Sequence, residues 1–385
     1  MLIPGFSSTG SKRPDALFGP GEVGDLPIRM TRSAGCRVWD AAGREYLDCI
    51  MALGAVALGY GHPAVNQAAI DAIAAGVVGS LAPDIESEFA GELHRAIPWI
   101  ERVRFLKTGA EAVAAAVRIA RAHTGREMVL GCGYHGWLDW CSPEDPAVPQ
   151  GTRAAIEVLR YNDPEDVRRQ LVLYGDKLAA VVIEPVIDGP PSREWLTTLR
   201  DETNRAGIVL VFDEIKTGCR LAVGGAAERF DVHPDITVLG KAIANGFPLA
   251  VVGGRSEIMA AVERTWISST LATEMPALAA ARATLDVMIQ QSVPSRLGQI
   301  GNRLMEGLSR LSGQYPGIVR AVRGLPEMCH LDYRDEATSF EVARGCARRG
   351  VLFKRSAYNF VSLAHAPDDI DRVLGAIEET LRELK

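Results

Sequence analysis

Lys241 lies in Leu239-Gly240-Lys241-Ala242-Ile243-Ala244-Asn245-Gly246-Phe247-Pro248, one cation among glycines and small apolar residues. Upstream, the apolar run Ile208-Val209-Leu210-Val211-Phe212 closes on an acidic pair, Asp213-Glu214. An amine in apolar surroundings tends to lose its charge and act as a nucleophile or base. A carboxylate at a strand end can hold a nearby ring nitrogen protonated, because an opposite charge favours the charged form. The two side chains together suit pyridoxal phosphate, whose aldehyde takes a lysine and whose pyridine nitrogen needs an acid. The protonated ring is an electron sink for the carbanion left when a Cα–H bond breaks.

Other unusual residues fall at similar places. Glu184 ends the apolar run Leu178–Glu184. Thr108-Gly109-Ala110 joins an expected strand to an expected helix, where unpaired first-turn N–H groups and the helix dipole favour a phosphate. The glycine allows close backbone approach. Tyr134-His135-Gly136-Trp137 follows the next strand, and an aromatic ring there can stack on a planar cofactor. Each feature has a plainer reading: a tight connection, a core aromatic, a loop histidine, a helix-capping aspartate, a solvated lysine. Their coincidence at strand ends is what argues for a site.

The elements that must position them alternate. Val103–Leu106, Met128–Leu130, Leu178–Glu184, Ile208–Phe212, Ile236–Leu239 and Leu249–Val252 read as strands. Pro63–Ala75, Glu86–Ile97, Glu111–His123 and Trp195–Ala206 read as helices. Val113, Val117 and Ala120 share one face of the third helix. This alternation predicts an α/β fold with a mainly parallel sheet covered on both faces, binding its ligand at the carboxyl ends of the strands. Residues 1–35, rich in Gly, Pro and Ser, read as an irregular arm. Val38–Asp40 and Glu45–Asp48 read as short strands. After Pro276, helices over Ala277–Gln290 and Ser295–Leu311 lead to pieces at Glu327–Tyr333, Phe340–Arg349, Phe360–Ala364 and Asp368–Leu384. The expected division is 1–55 as arm and part of a small domain, 56–280 as a large cofactor-binding domain, and 281–385 as the C-terminal small α/β domain.

The motifs Lys107-Thr108-Gly109-Ala110-Glu111-Ala112, Gly133-Tyr134-His135-Gly136-Trp137, Ile183-Glu184-Pro185, Phe212-Asp213-Glu214-Ile215, Gly240-Lys241 and Phe360-Val361-Ser362-Leu363-Ala364-His365 recur together along the chain. As a set they resemble the class III, pyridoxal-phosphate-dependent aminotransferases of fold type I. The resemblance implies Lys241 as the Schiff-base lysine and Asp213 at the pyridine nitrogen. It implies phosphate contacts from the Gly109 and Ala110 amides, Tyr134 on one ring face and Ile215 on the other. Thr108, His135 and Glu184 complete the expected cofactor site. Thr270, in Ser268-Ser269-Thr270-Leu271, matches a phosphate-binding threonine given by a partner subunit, which implies a homodimer with shared active sites.

Within the family, the chain is most similar to the glutamate-1-semialdehyde aminomutase branch. Leu26-Pro27-Ile28-Arg29 matches its segment with a carboxylate-binding arginine. Arg29, Trp137 and Arg355 are the candidate substrate contacts, with Arg32 a further arginine to consider. There are departures. Ala110 stands for a usual Ser or Thr, Ala272-Thr273-Glu274-Met275 replaces a Gly-Asn-Pro, and Tyr358-Asn359 stands where the aminomutases carry a glutamate. These departures favour amino transfer from an amine or amino-acid donor to a carbonyl acceptor by ping-pong chemistry over the aminomutase alternative. A non-catalytic nucleotide-binding α/β protein is the rival of another class, and the chain lacks GxGxxG and GxxxxGK[ST] sequences.

Composition narrows the field further. A net charge of −6 over 385 residues gives no electrostatic case for nucleic acid or an anionic membrane surface. No apolar run approaches the ~20 residues that span a bilayer. The seven cysteines show no CxxC or Cys/His spacing for zinc. Free thiols, no metal and a cytoplasmic setting are expected.

Overall fold

The computed structural model describes residues 2–385, which fall into two compact units. One is Ala64–Pro294; the other joins the residues up to Pro63 with Ser295–Lys385.

The first unit is organised by a seven-stranded sheet: β1 (Arg102–Leu106), β2 (Met128–Cys132), β3 (Ile156–Val158), β4 (Leu178–Ile183), β5 (Val209–Asp213), β6 (Ile236–Leu239) and β7 (Ala250–Gly254). Their spatial order is β1-β7-β6-β5-β4-β2-β3. The pairs from β3 to β6 are parallel, as expected. β7 runs antiparallel to both β6 and β1. The stretch between Leu239 and Ala250 holds only a short 3-10 turn, and a parallel return needs a crossover of a dozen or more residues.

Strands buried on both faces read as continuous apolar runs, and β4, Leu-Ala-Ala-Val-Val-Ile, is buried throughout. Its side chains alternate between two cores. Ala180 and Val182 pack with Val113 and Val117 of α1 (Gly109–Thr124). Val181 and Ile183 pack with Trp195, Leu196 and Leu199 of α2 (Arg193–Ala206). β5 divides likewise, Val209 and Val211 to the first core, Leu210 and Phe212 to the second. Ser192 caps α2 by accepting from the Trp195 N–H at 3.2 Å, and Gly207 ends it in a left-handed conformation. The edge strand β3 and the helix Pro164–Tyr174, which begins with Asp163 accepting from the Asp166 N–H, were not foreseen from the sequence pattern.

The second unit holds a four-stranded sheet of Met30–Ala34, Arg37–Asp40, Glu45–Asp48 and Val351–Leu352, and a three-stranded sheet of Val319–Leu325, Met328–Tyr333 and Asn359–Phe360. The irregular arm expected over 1–35 is corrected here: it carries the helix Pro14–Phe18 and the strand Met30–Ala34. That strand is largely exposed and has no apolar alternation; its ladder with Arg37–Asp40 creates it. Val319–Leu325, interrupted by arginines, becomes a strand by hairpin pairing with Met328–Tyr333. The strand expected over Phe360–Ala364 shrinks to Asn359–Phe360, because the Ser362 N–H turns back to His365 Nδ1 at 3.0 Å. Among the described residues no helix is long and apolar enough to cross a membrane.

Candidate active site

The register of the parallel strands assembles the site. Cys132 pairs with Ile183, Ile183 with Phe212, and Asp213 with Val238. The carboxyl ends of β2, β4, β5 and β6 therefore lie along one edge, and the residues just beyond them become neighbours. Lys107, Thr108, Gly109, Ala110, Tyr134, Trp137, Glu184, Asp213, Ile215, Lys216 and Lys241 all line one cavity of about 640 Å³.

Several of these residues are held by local contacts. Thr108 caps α1 in a reciprocal box: the Glu111 N–H donates to Thr108 Oγ1 at 3.3 Å, and the Thr108 N–H to Glu111 Oε2 at 2.9 Å. The N–H groups of Gly109 and Ala110, in the first turn, have no acceptor within the helix. A side chain at Gly109 would lie 2.6 Å from Ile215 Cδ1, so glycine lets the turn lie against Ile215. Ile215 is fixed in turn by its N–H, which donates to Asp213 Oδ1 at 3.2 Å. Lys241 has φ +48°, a left-handed conformation unusual for a side-chain-bearing residue, and opens the short 3-10 turn Lys241–Ala244.

Asp213 is almost fully buried, and its Oδ2 lies 2.8 Å from His135 Nδ1. His135 Nε2 has no hydrogen-bond partner, and the ring stacks near Trp140 at 6.0 Å. Burial pushes the Lys241 ammonium below the ordinary lysine value against the pull of Asp213, although the side chain keeps a partly accessible face to the cavity. Asp213's neighbour Glu214 faces away. It is fully buried, accepts from Thr217 Oγ1 and from the Ala226 and Ala227 N–H groups, and burial pushes its carboxyl up to about 7.

Of the residues singled out in the sequence, His135 stands behind Asp213 rather than in the cavity lining. Tyr134 and Trp137 line the cavity with 71% and 76% of their surface exposed, so their rings are free to meet a ligand. Thr270 sits in an exposed turn outside that lining. Arg29 and Arg355 belong to the other unit. Arg29 lies over the Phe6 ring at 4.2 Å and borders a separate cavity of about 290 Å³. Arg355 donates to Ala16 O at 3.1 Å and lies over the Phe340 ring at 4.3 Å. Arg32 stacks on Trp39 at 3.9 Å. No cluster of three or more metal-ligating side chains occurs among the described residues.

Sequence reasoning missed two ion pairs at the cavity. Lys216 Nζ lies 2.9 Å from Glu184 Oε1, and Lys107 Nζ lies 2.6 Å from Glu274 Oε1. The partners are far apart in the chain, so no local pattern marks them; the one signal was a lysine following the Asp213-Glu214-Ile215 motif. The capping box generates a direct test. Thr108→Ala lowers stability by about 1 kcal/mol, read as a fall in the urea midpoint at unchanged slope.

Comparison with known proteins follows the same line. A model of the family described as aminotransferase class-III matches residues 19–381. A glutamate-1-semialdehyde 2,1-aminomutase of Thermomicrobium roseum is 36% identical over 94% of this chain and 92% of its own length. One of Rhodopirellula baltica is 33% identical over 100% of this chain and 94% of its own. A solved transaminase with pyridoxal phosphate bound superposes with a TM-score of 0.87 at 26% identity, covering 95% of this chain and 94% of that one. The chain thus belongs to the class III aminotransferases, enzymes that work with pyridoxal phosphate.

Proposed function

We propose that the chain moves an amino group between adjacent carbons of one small carboxylate substrate of the glutamate-1-semialdehyde type. The observation that carries this reading is the naming of its relatives: those at 36% and 33% identity, matched almost end to end, are aminomutases of that substrate. It takes precedence over transfer between two molecules, the expectation drawn from the departures at Glu274 and Asn359.

The cavity fits the cofactor. It offers unpaired first-turn amides for a phosphate, a glycine cradle against Ile215, a buried carboxylate and an amine whose charge is disfavoured. Bound there, pyridoxal phosphate supplies an aldehyde for an amine and a ring that accepts the electron pair from a broken Cα–H bond. Lys241 would hold the aldehyde, and its uncharged amine could take and return the proton at the substrate Cα. Asp213, oriented by His135, keeps the ring nitrogen protonated. The Gly109 and Ala110 amides hold the phosphate, and Thr108 and Glu184 fix the two walls. Ile215 and Tyr134 would hold the cofactor's ring, and Trp137, on the same cavity lining, would meet the substrate.

The active form in this reading is a homodimer in which Thr270 of a second copy completes the phosphate site. Supporting it, exposed Trp266 and Leu271 lie near Thr270 along the chain, and Val77, also exposed, accepts from the Met275 N–H at 2.9 Å. The free cysteines fit a cytoplasmic setting.

Transfer from a donor to a separate carbonyl acceptor is the second reading, and two side chains favour it. Glu274 is engaged by Lys107 and by the Ala277 N–H. Asn359 closes a turn on the Lys354 backbone at 2.6 and 3.2 Å. An aminomutase must keep its reacting molecule enclosed between two half-reactions, and neither side chain is free to help.

Three outcomes are expected. Borohydride reduction of the loaded enzyme followed by peptide mapping places the pyridoxyl label on Lys241; a label on Lys107 or Lys216 refutes the assignment. Asp213→Asn keeps the fold by circular dichroism but slows exchange of the substrate Cα hydrogen with solvent at least about a hundredfold. Glutamate-1-semialdehyde supplied alone is converted to 5-aminolevulinate at roughly 1 s⁻¹ or faster. If turnover instead requires an added amine and releases its carbonyl product, the second reading replaces the first.

A further inference from the structure

The cavity holds a second buried lysine. Lys216 is 9% exposed and sits in the turn after β5, whose backbone is locked by the Thr217 and Gly218 N–H groups donating to Glu214 O at 3.2 and 2.7 Å. Its ammonium lies 2.9 Å from Glu184 Oε1, while Glu184 Oε2 accepts the Tyr134 N–H at 2.8 Å. Gly133 presses on that carboxylate: a side chain there would come within 2.7 Å of Oε2. Both ends of the pair are therefore fixed, and the pair lines the same cavity as Lys241.

A charge held in place acts over several ångströms, and a neighbouring cation is one established way to keep an amine uncharged. We propose that Lys216 is a positioning residue that acts through Lys241: clamped by Glu184, it is a stationary cation that favours the neutral, nucleophilic amine of Lys241. This rests on the reading that Lys241 carries the cofactor.

The charged groups around Lys241 are Asp213 at the end of β5, Lys216 and Arg220 after it, and Glu184 just past β4. His135 stands behind Asp213, and Lys107 borders the cavity paired with Glu274. Burial is the largest influence against the Lys241 ammonium, and Asp213 opposes it. Lys216 is the strongest single charge acting in the same direction as burial, ahead of Arg220. Glu184 pulls the other way. Removing Lys216 alone thus subtracts a cation and frees an anion, and both changes favour the charged amine. Removing both partners leaves the local charge nearly balanced.

The test is trace acetylation of the full-length, cofactor-free chain across pH, with the Lys241 peptide quantified by mass spectrometry against exposed lysines. Lys216→Met raises the midpoint for Lys241 by about one pH unit, roughly a tenfold loss of reactive amine near pH 7. Lys216→Arg keeps the parent midpoint, and Lys216→Gln combined with Glu184→Gln returns close to it. A structural ion pair alone would not make the midpoint follow charge in this way. A midpoint within about 0.3 unit of the parent in folded Lys216→Met overturns the proposal. If Lys216→Met does not fold, the combined variant and Lys216→Gln decide: equal midpoints in those two also overturn it. A pyridoxyl label away from Lys241 in the loaded enzyme would instead refute the cofactor reading, so the two failures are told apart.

Discussion

The parallel register of β2, β4, β5 and β6 is the constraint on which the site depends. Backbone pairing of Cys132 with Ile183, Ile183 with Phe212 and Asp213 with Val238 brings four strand ends to one edge. The alternation of side chains ties this register to the core. Val181 and Ile183 must face the α2 side while Ala180 and Val182 face α1. A slip of one residue would exchange the two faces of a strand. It would also exchange Asp213 with Glu214, carrying the cavity carboxylate into the interior.

That adjacent pair shows how one sequence motif serves two environments. Asp213 ends β5 facing the cavity with a histidine on one oxygen and the Ile215 N–H on the other. Glu214 turns the opposite way, where three donors meet its carboxylate and burial still pushes its carboxyl up to about 7. It is a structural group that closes the turn over Thr217 and receives the start of the helix Gly225–Phe230. The period of two along a strand, rather than any difference in acid chemistry, separates their roles.

Charge at the cavity is held in two ion pairs, Lys216 with Glu184 and Lys107 with Glu274, and His135 Nδ1 stands 2.8 Å from Asp213 Oδ2. Paired charges tolerate burial where lone ones do not. Lys241 differs: it faces the cavity from a left-handed backbone position with its charged form disfavoured by burial. Strain and desolvation therefore fall together on Lys241, while Glu184, Lys216 and Lys107 are held in place by partners.

What the sequence determined by itself was the local order of things. The runs at 178–183 and 209–213 are too long in apolar residues to be loops, and Val113, Val117 and Ala120 fall on one face of a helix. From these came the α/β alternation and the placing of Glu184, Asp213 and Lys241 at or just beyond strand ends. Elements created by pairing alone were not legible: Met30–Ala34 and Val319–Leu325 have no apolar alternation and are strands because a neighbouring strand supplies their hydrogen bonds. The direction of β7 was decided by the shortness of its connection. The partners of Lys216 and Lys107, and the place of His135 behind Asp213, were likewise decided only by tertiary structure. Such contacts join residues from different strand ends, and their distance is set by sheet order and register, which no spacing along the chain encodes.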